Sequence, residues 1–206
     1  FQLHLNGALH IEAFSAAVGL LFQQNTILHT VYRQYADTLC QQPLRLPQQL
    51  WLSTDLSELD AAQQPQRLNH LQQEHAAYHF DLEHDLMLQL HLVKLSQTQH
   101  CLLLNLHHIA ADGWSVKLLL QQLSSAYSAF CQGLQPGLLS DEALQYCDYA
   151  VWQQSFDVTQ HEGFWLAQLQ DAPALHSLPT DYPRPAMPTY NGAVERLQLD
   201  GEQAKR

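Results

Sequence analysis

One short run of the sequence gathers the residue types that do proton-transfer chemistry: His107-His108-Ile109-Ala110-Ala111-Asp112-Gly113-Trp114-Ser115. An imidazole ordinarily titrates at ~6.5, so His108 can act as a general base near neutral pH. Asp112 lies four residues further on, where a carboxylate in a tight loop can bond backbone amides or a cation and hold the histidine in place. Gly113 permits a positive φ or a close backbone approach. If a helix starts here, its free N–H groups, that of Gly113 among them, suit an oxyanion or an acyl carbonyl. Two other readings of the same residues stand beside this one. A paired-histidine turn can be purely structural, and histidine with aspartate can bind a metal. Adjacent histidines on a strand point to opposite faces, however, which disfavours a shared metal.

The elements that would position this run are legible from periodicity. Cys101 to Leu106 is an apolar run of the kind that forms a buried strand. Upstream, Leu86, Leu88, Leu90 and Leu92 alternate with Met87, Gln89, His91 and Val93, which predicts a strand paired with the first as a hairpin around Ser96 to Gln99. Downstream, Val116, Leu119, Leu120, Leu123, Tyr127 and Phe130 recur at helical spacing up to Gly133. The run thus falls in a strand-to-helix loop, where rigid elements fix side-chain direction.

The rest of the chain is interleaved in the same way. Phe1 to Leu5 alternates like a half-buried strand, and Ile11, Phe14, Val18, Leu21 and Phe22 mark a helix ending near Gln24 or Asn25. His29 to Tyr35 and Leu39 to Leu46 read as extended pieces, and Trp51 to Gln66 as a loop with a short strand. Leu68, Leu71, His75 and Tyr78 form another helical stripe. Further helices are predicted over 142–156 and 163–170, and a final strand over 193–199. Five prolines fall between Pro173 and Pro188, which makes about 173–190 an extended crossover segment. The pattern predicts an α/β chain with a mixed sheet flanked by helices and no internal domain boundary.

Composition excludes several functions. With 206 residues, 46% hydrophobic and 14% charged, the chain can bury a sizeable core. Twenty acidic residues against nine basic ones give a formal charge of -11, and no basic cluster exists to bind nucleic acid. No apolar stretch reaches the ~18 residues of a membrane span, and no secretory signal opens the sequence. Four widely spaced cysteines without a CxxC pair read as reduced thiols of a cytoplasmic protein. The first residue is not Met, so the sequence reads as a piece of a longer chain.

The run from His107 to Ser115 is similar to the His-His-x-x-x-Asp-Gly-Trp-Ser signature of condensation domains of nonribosomal peptide synthetases. Its shorter core is shared with the wider chloramphenicol acetyltransferase-like superfamily. Tyr146-Cys147-Asp148-Tyr149-Ala150-Val151-Trp152 resembles the family's Tyr-x-Asp-Tyr-Ala-x-Trp stretch. Leu178-Pro179-Thr180-Asp181-Tyr182-Pro183-Arg184-Pro185 resembles its Leu-Pro-Thr-Asp-x-Pro-Arg-Pro segment. Trp114-Ser115 behind Asp112-Gly113 looks like a condensing member rather than an epimerizing or heterocyclizing one. The resemblance implies residues 1–206 as the N-terminal lobe of such a domain, a two-layer sandwich lobe whose C-terminal lobe is its partner. It further implies donor and acceptor carrier domains and an adjacent adenylation domain as partners. No bound cofactor or metal is expected; phosphopantetheine arms belong to the carriers.

The implied reaction is amide-bond formation between a carrier-bound acyl or peptidyl thioester and the amine of an acceptor aminoacyl thioester. His108 would receive or orient the amine proton, with His107, Asp112 and Gly113 in support. The sequence departs from the family at Gln24-Asn25-Thr26-Ile27-Leu28-His29-Thr30-Val31-Tyr32, where the family has Arg-His-Glu-x-Leu-Arg-Thr-x-Phe. Gln24 and His29 replace both arginines, one of which is thought to pair with the aspartate of the signature; His29, if protonated, could pair with Asp112. That loss favours one alternative, a non-catalytic module that docks carriers or recruits tailoring enzymes; against a second, an acyltransferase using a free acceptor or coenzyme A, stands the stretch from Tyr146 to Trp152. An isolated lobe, with half a tunnel and an exposed apolar interface, is expected to be inactive.

Overall fold

The computed structural model describes residues 1–137, 143–174, 178–187, 189, 192–193 and 195–201. In chain order its elements are β1 (Gln2–Asn6), α1 (Ile11–Gln24), a 3₁₀ turn (Thr26–His29), β2 (Thr30–Tyr35) and β3 (Thr38–Pro43). Then come β4 (Leu52–Asp55), α2 (Gln63–Ala76), β5 (Leu88–Lys94), β6 (Gln99–Leu106), α3 (Gly113–Cys131), α4 (Tyr146–Ser155) and α5 (Thr159–Leu169). The described residues fall into two compact units, Phe1–Phe156 and Asp157–Arg206.

The first unit is built on a mixed four-stranded sheet in the order β1-β6-β5-β4. β6 pairs antiparallel with both β1 and β5, and β4 runs parallel to β5. β2 and β3 form a separate antiparallel ribbon. The unbroken apolar run of β6 follows from its place: an interior strand with both faces covered has no side left for polar residues. Leu102 and Leu104 of β6 join Leu88, Leu90 and Leu92 of β5 against Phe14, Val18, Leu21 and Phe22 of α1 and Leu119 and Leu123 of α3. On the other face Cys101, Leu103 and Val93 meet Leu68 and Leu71 of α2, with Leu56. The hairpin, α1 and α3 lie where the periodicity predicts.

Five details differ from the sequence reading. Tyr78, read as part of a helical stripe, lies beyond α2, which ends at Ala76. α2 begins at Gln63, inside the stretch read as loop, because Asp60 Oδ1 accepts the N–H groups of Ala62 and Gln63 at 2.9 and 2.7 Å and Pro65 is tolerated in a first turn. The helix expected over 142–156 starts at Tyr146, with Gln145 at its N-cap; Glu142 lies outside the described residues. α5 starts at Thr159 rather than Gly163, with Asp157 Oδ1 accepting the Thr159 N–H at 3.0 Å. Over 193–199 the described residues form no strand: Leu197 and Leu199 are exposed, and an alternating segment without a partner strand gains no ladder. Residues 178–187 have no regular structure, as expected of the proline-rich segment, and Pro188 lies outside the described residues.

Histidines line the α2 side of the sheet. His91 Nε2 shares a 2.9 Å hydrogen bond with Thr54 Oγ1, and the His75 ring lies 6.1 Å from the His91 ring. Burial pushes the imidazoles of His75 and His91, and of His100 beside Lys94, below their ordinary value. In the unfolded chain these groups take a proton near pH ~6.5; in the fold they resist it to lower pH. The unfolded state therefore binds more protons below that value, and stability falls as pH drops through it. The hydrogen-bonded carboxylates Asp81, Asp112 and Asp157 are shifted downward, so they act only at more acid pH. Urea unfolding at about pH 7.5 and about pH 5.5 should give lower stability at the acid value. His75→Gln/His91→Gln should flatten that slope; an unchanged slope would place the titration elsewhere.

Candidate active site

β6 ends at Leu106, and the chain turns at once. The Ala110 N–H returns to the His107 carbonyl at 3.0 Å, closing a turn over 107–110. Three anchors hold this turn. The His107 N–H donates to the Met87 carbonyl at 3.1 Å, one step beyond the β5–β6 ladder. The Ala111 methyl is buried in the main core. Asp112 is the N-cap of α3: its Oδ1 accepts the Ser115 N–H at 2.8 Å and the Ser115 hydroxyl at 2.7 Å. Ser115 Oγ accepts the Asp112 N–H at 3.3 Å, completing a capping box. These bonds from the Ser115 side chain and backbone hold the Asp112 carboxyl below the usual carboxylate range.

The two histidines have different surroundings. His107 is half-buried, its Nδ1 accepts the Ile109 N–H at 3.1 Å, and its ring meets Phe80 edge-on with centroids 5.6 Å apart. His108 is exposed, and its imidazole makes no hydrogen bond or ion pair with any described residue. The arrangement leaves one imidazole held and the next one open to an incoming group. Among the described residues no cluster of three or more histidine, cysteine, aspartate or glutamate side chains could hold a metal.

Gly113 needs correction. It is the first residue of α3 and does not take a positive φ, because the capping box fixes the helical path from Asp112 onward. Apart from its sequence neighbours and its own helix backbone, no atom of the described residues lies within 4 Å of a Cβ added there, so no other part of the described chain makes the close approach that a glycine permits. The supposed His29–Asp112 pair is also absent. His29 is buried and donates from Nδ1 to the Leu44 carbonyl at 2.7 Å, while Asp112 is occupied by Ser115 and has no ion pair among the described residues. Gln24 Nε2 donates to the Gly137 carbonyl at 3.3 Å, and Arg33 goes to the Glu83 carbonyl and to Gln42. Asp148 accepts the Gln145 N–H at 2.8 Å and caps its own helix.

α4 carries an aromatic ladder. Tyr146, Tyr149, Trp152 and Phe156 lie with successive ring centroids 5.8, 5.5 and 5.5 Å apart, and α4 buries none of its residues. Its root is the Gln145 side chain, whose Oε1 accepts the Thr26 N–H and hydroxyl at 3.1 and 3.0 Å. The helical spacing of Tyr146, Tyr149 and Trp152 suggests helix-packing residues. Within the described residues they pack on one another and stay about half exposed.

The family model for the condensation domain matches residues 1–206. The chain belongs to the condensation domain family. A linear gramicidin synthase subunit of Brevibacillus parabrevis is 35% identical over 204 residues, spanning 96% of this chain and 3% of that protein. The structure of the complex of the X-domain and OxyB from teicoplanin biosynthesis matches with a TM-score of 0.72 and 29% identity, covering 91% of this chain and 41% of that one. VibH, a condensation enzyme of nonribosomal peptide synthesis, matches in fold with a TM-score of 0.62 at 22% identity, covering 84% and 40%. This condensation domain sequence thus spans less than half of the solved chains it resembles and a small part of its curated relatives. The fold is the mixed α/β, chloramphenicol acetyltransferase-like one that the signature implied. No described helix is long and apolar enough to cross a membrane.

If Asp112 serves as a helix cap, the carboxylate charge is dispensable for the fold. Asp112→Asn should then melt within a degree or so of wild type, since asparagine caps as well as aspartate, while Asp112→Ala should melt a few degrees lower. Equal losses in both variants, measured by circular dichroism, would point to an ionic role instead.

Proposed function

We propose that this condensation domain forms an amide bond between two carrier-bound substrates, with His108 as the reacting imidazole. The observation that carries the reading is an exposed His108 held in a turn anchored on both sides, at His107 by Met87 and at Asp112 by Ser115. A donor carrier presents an acyl or peptidyl thioester on its phosphopantetheine arm, and an acceptor carrier presents an aminoacyl thioester. The acceptor amine attacks the thioester carbonyl, a new C–N bond forms, and the C–S bond to the donor arm breaks. His108 accepts or orients the amine proton, which leaves finally on the thiol. Tethering both substrates supplies much of the acceleration by proximity. The Gly113 N–H, at the first position of α3, would bond the oxyanion. His107, Asp112 and Ser115 shape the turn. The protein itself needs no metal or organic cofactor for these steps.

Two observations favour a second reading. No cation pairs with Asp112 among the described residues, and a solved relative, the teicoplanin X-domain, was obtained in complex with OxyB. On that reading the domain docks a carrier or recruits a tailoring enzyme. Because Asp112 caps α3 through Ser115, the turn keeps its shape without an arginine, which supports the catalytic reading.

The test is intact mass of the acceptor carrier in the full parent module with both carriers loaded. Wild type should add one donor unit, and His108→Ala should lose transfer by roughly two to four orders of magnitude, the scale of general acid–base catalysis. Loaded carriers with no transfer by wild type would favour the recruiting module. Residues 1–206 alone should transfer nothing; turnover by that fragment would contradict the need for the second lobe.

A further inference from the structure

The loop between α2 and β5 touches the candidate site at one point that the sequence reading passed over. Phe80 presents a T-shaped contact to the His107 imidazole, with centroids 5.6 Å apart and planes at 71°. Tyr78 contacts Phe80 in the same way, at 5.3 Å and 86°. The Tyr78 hydroxyl donates to Asp85 Oδ2 at 2.7 Å, and that oxygen also accepts the Asp81 N–H at 2.8 Å. Two backbone bonds of 2.8 Å strap the loop to the fold: Tyr32 N–H to the Leu82 carbonyl, and Met87 N–H to the Leu28 carbonyl. Phe80 is therefore held from behind.

His107 has leverage over His108. Its Nδ1 accepts the Ile109 N–H, a bond that spans His108. An acceptor Nδ1 carries no proton, so the ring proton sits on Nε2. If the ring turned, the bond would break, and the peptide on the C-terminal side of His108 would be released. A T-shaped ring contact favours one orientation by an energy worth several-fold in rate.

We propose that Phe80 is a positioning residue: it fixes the His107 ring and, through the His107–Ile109 bond, the direction of His108. This rests on the reading of His108 as the reacting imidazole. In the full module with both carriers loaded, Phe80→Leu should lower kcat by roughly three- to tenfold while KM for the acceptor carrier stays unchanged. Phe80→Tyr, which keeps the ring, should restore kcat. Imidazole nitrogen shifts of His107 in the histidine-labelled complete domain should report the Nε2–H tautomer in wild type and a mixture in Phe80→Leu. Unchanged kcat in Phe80→Leu overturns the proposal, as does a loss of kcat without any change in the His107 shifts. If Phe80→Leu melts early, Tyr78→Phe replaces it, because it keeps the ring and removes only the hydroxyl with its bonds to Asp85 and Gln89. It should give a smaller kcat loss with the same spectral change, and wild-type values in both would overturn the brace. Full transfer by His108→Ala would sink the reading of the site itself, whereas inactive His108→Ala beside normal Phe80→Leu would sink only the role of Phe80.

Discussion

The antiparallel pairing of β5 with β6 runs from Leu88 opposite Leu106 to Lys94 opposite His100, and the candidate site hangs from its end. Strand side chains alternate between faces. Leu88, Leu90, Leu92, Leu102 and Leu104 meet α1 and α3, and Val93, Cys101 and Leu103 meet α2. A slip of one residue would send Leu102 and Leu104 to the α2 side and carry Cys101 and Leu103 into the main core, so the register is strongly held. Met87 then adds one more rung. Its carbonyl takes the His107 N–H and its own N–H goes to Leu28, which fixes the residue at which the chain leaves the sheet.

Beyond that rung the turn separates support from chemistry. Ala111 is buried in the core, Asp112 is consumed by the start of α3, and His107 is bonded through Nδ1. Each satisfies a local structural demand. His108 is exposed and makes no such contact with any described residue. His29 has turned inward to bind the Leu44 carbonyl, and the turn is closed without it. The aromatic ladder on α4 is exposed, since α4 buries none of its own residues.

Much of this was legible because hydrophobic period and local chemistry agreed. Cys101 to Leu106 is apolar on both faces, so an interior strand was the simple reading; Val116 to Phe130 keeps one helical stripe through α3. The signature run sat where those two elements meet. The misreadings came where a side chain chose among local partners. Asp112 took the first of its two expected partners, a backbone amide, and not a cation, a choice that spacing alone does not make. Gly113 was read for its conformational freedom, yet the cap placed it in an ordinary helical position. Phe80 escaped notice because it lies beyond the end of α2, where no periodicity points at it. Its proximity to His107 depends on how the loop folds back over β6. The strand expected over 193–199 has the right alternation and no neighbour to pair with among the described residues.

The central claim is that the β6–α3 turn holds His108 where the acceptor amine arrives. The most direct measurement is a crystal structure of the complete two-lobed domain with a stable amine-bearing acceptor analogue tethered in the site. The account predicts a His108 ring nitrogen within ~2.6–3.2 Å of the amine nitrogen, or one water away, with the His107–Met87 and Asp112–Ser115 bonds unchanged. An amine bound with His108 turned away, and another side chain in that position, would contradict it.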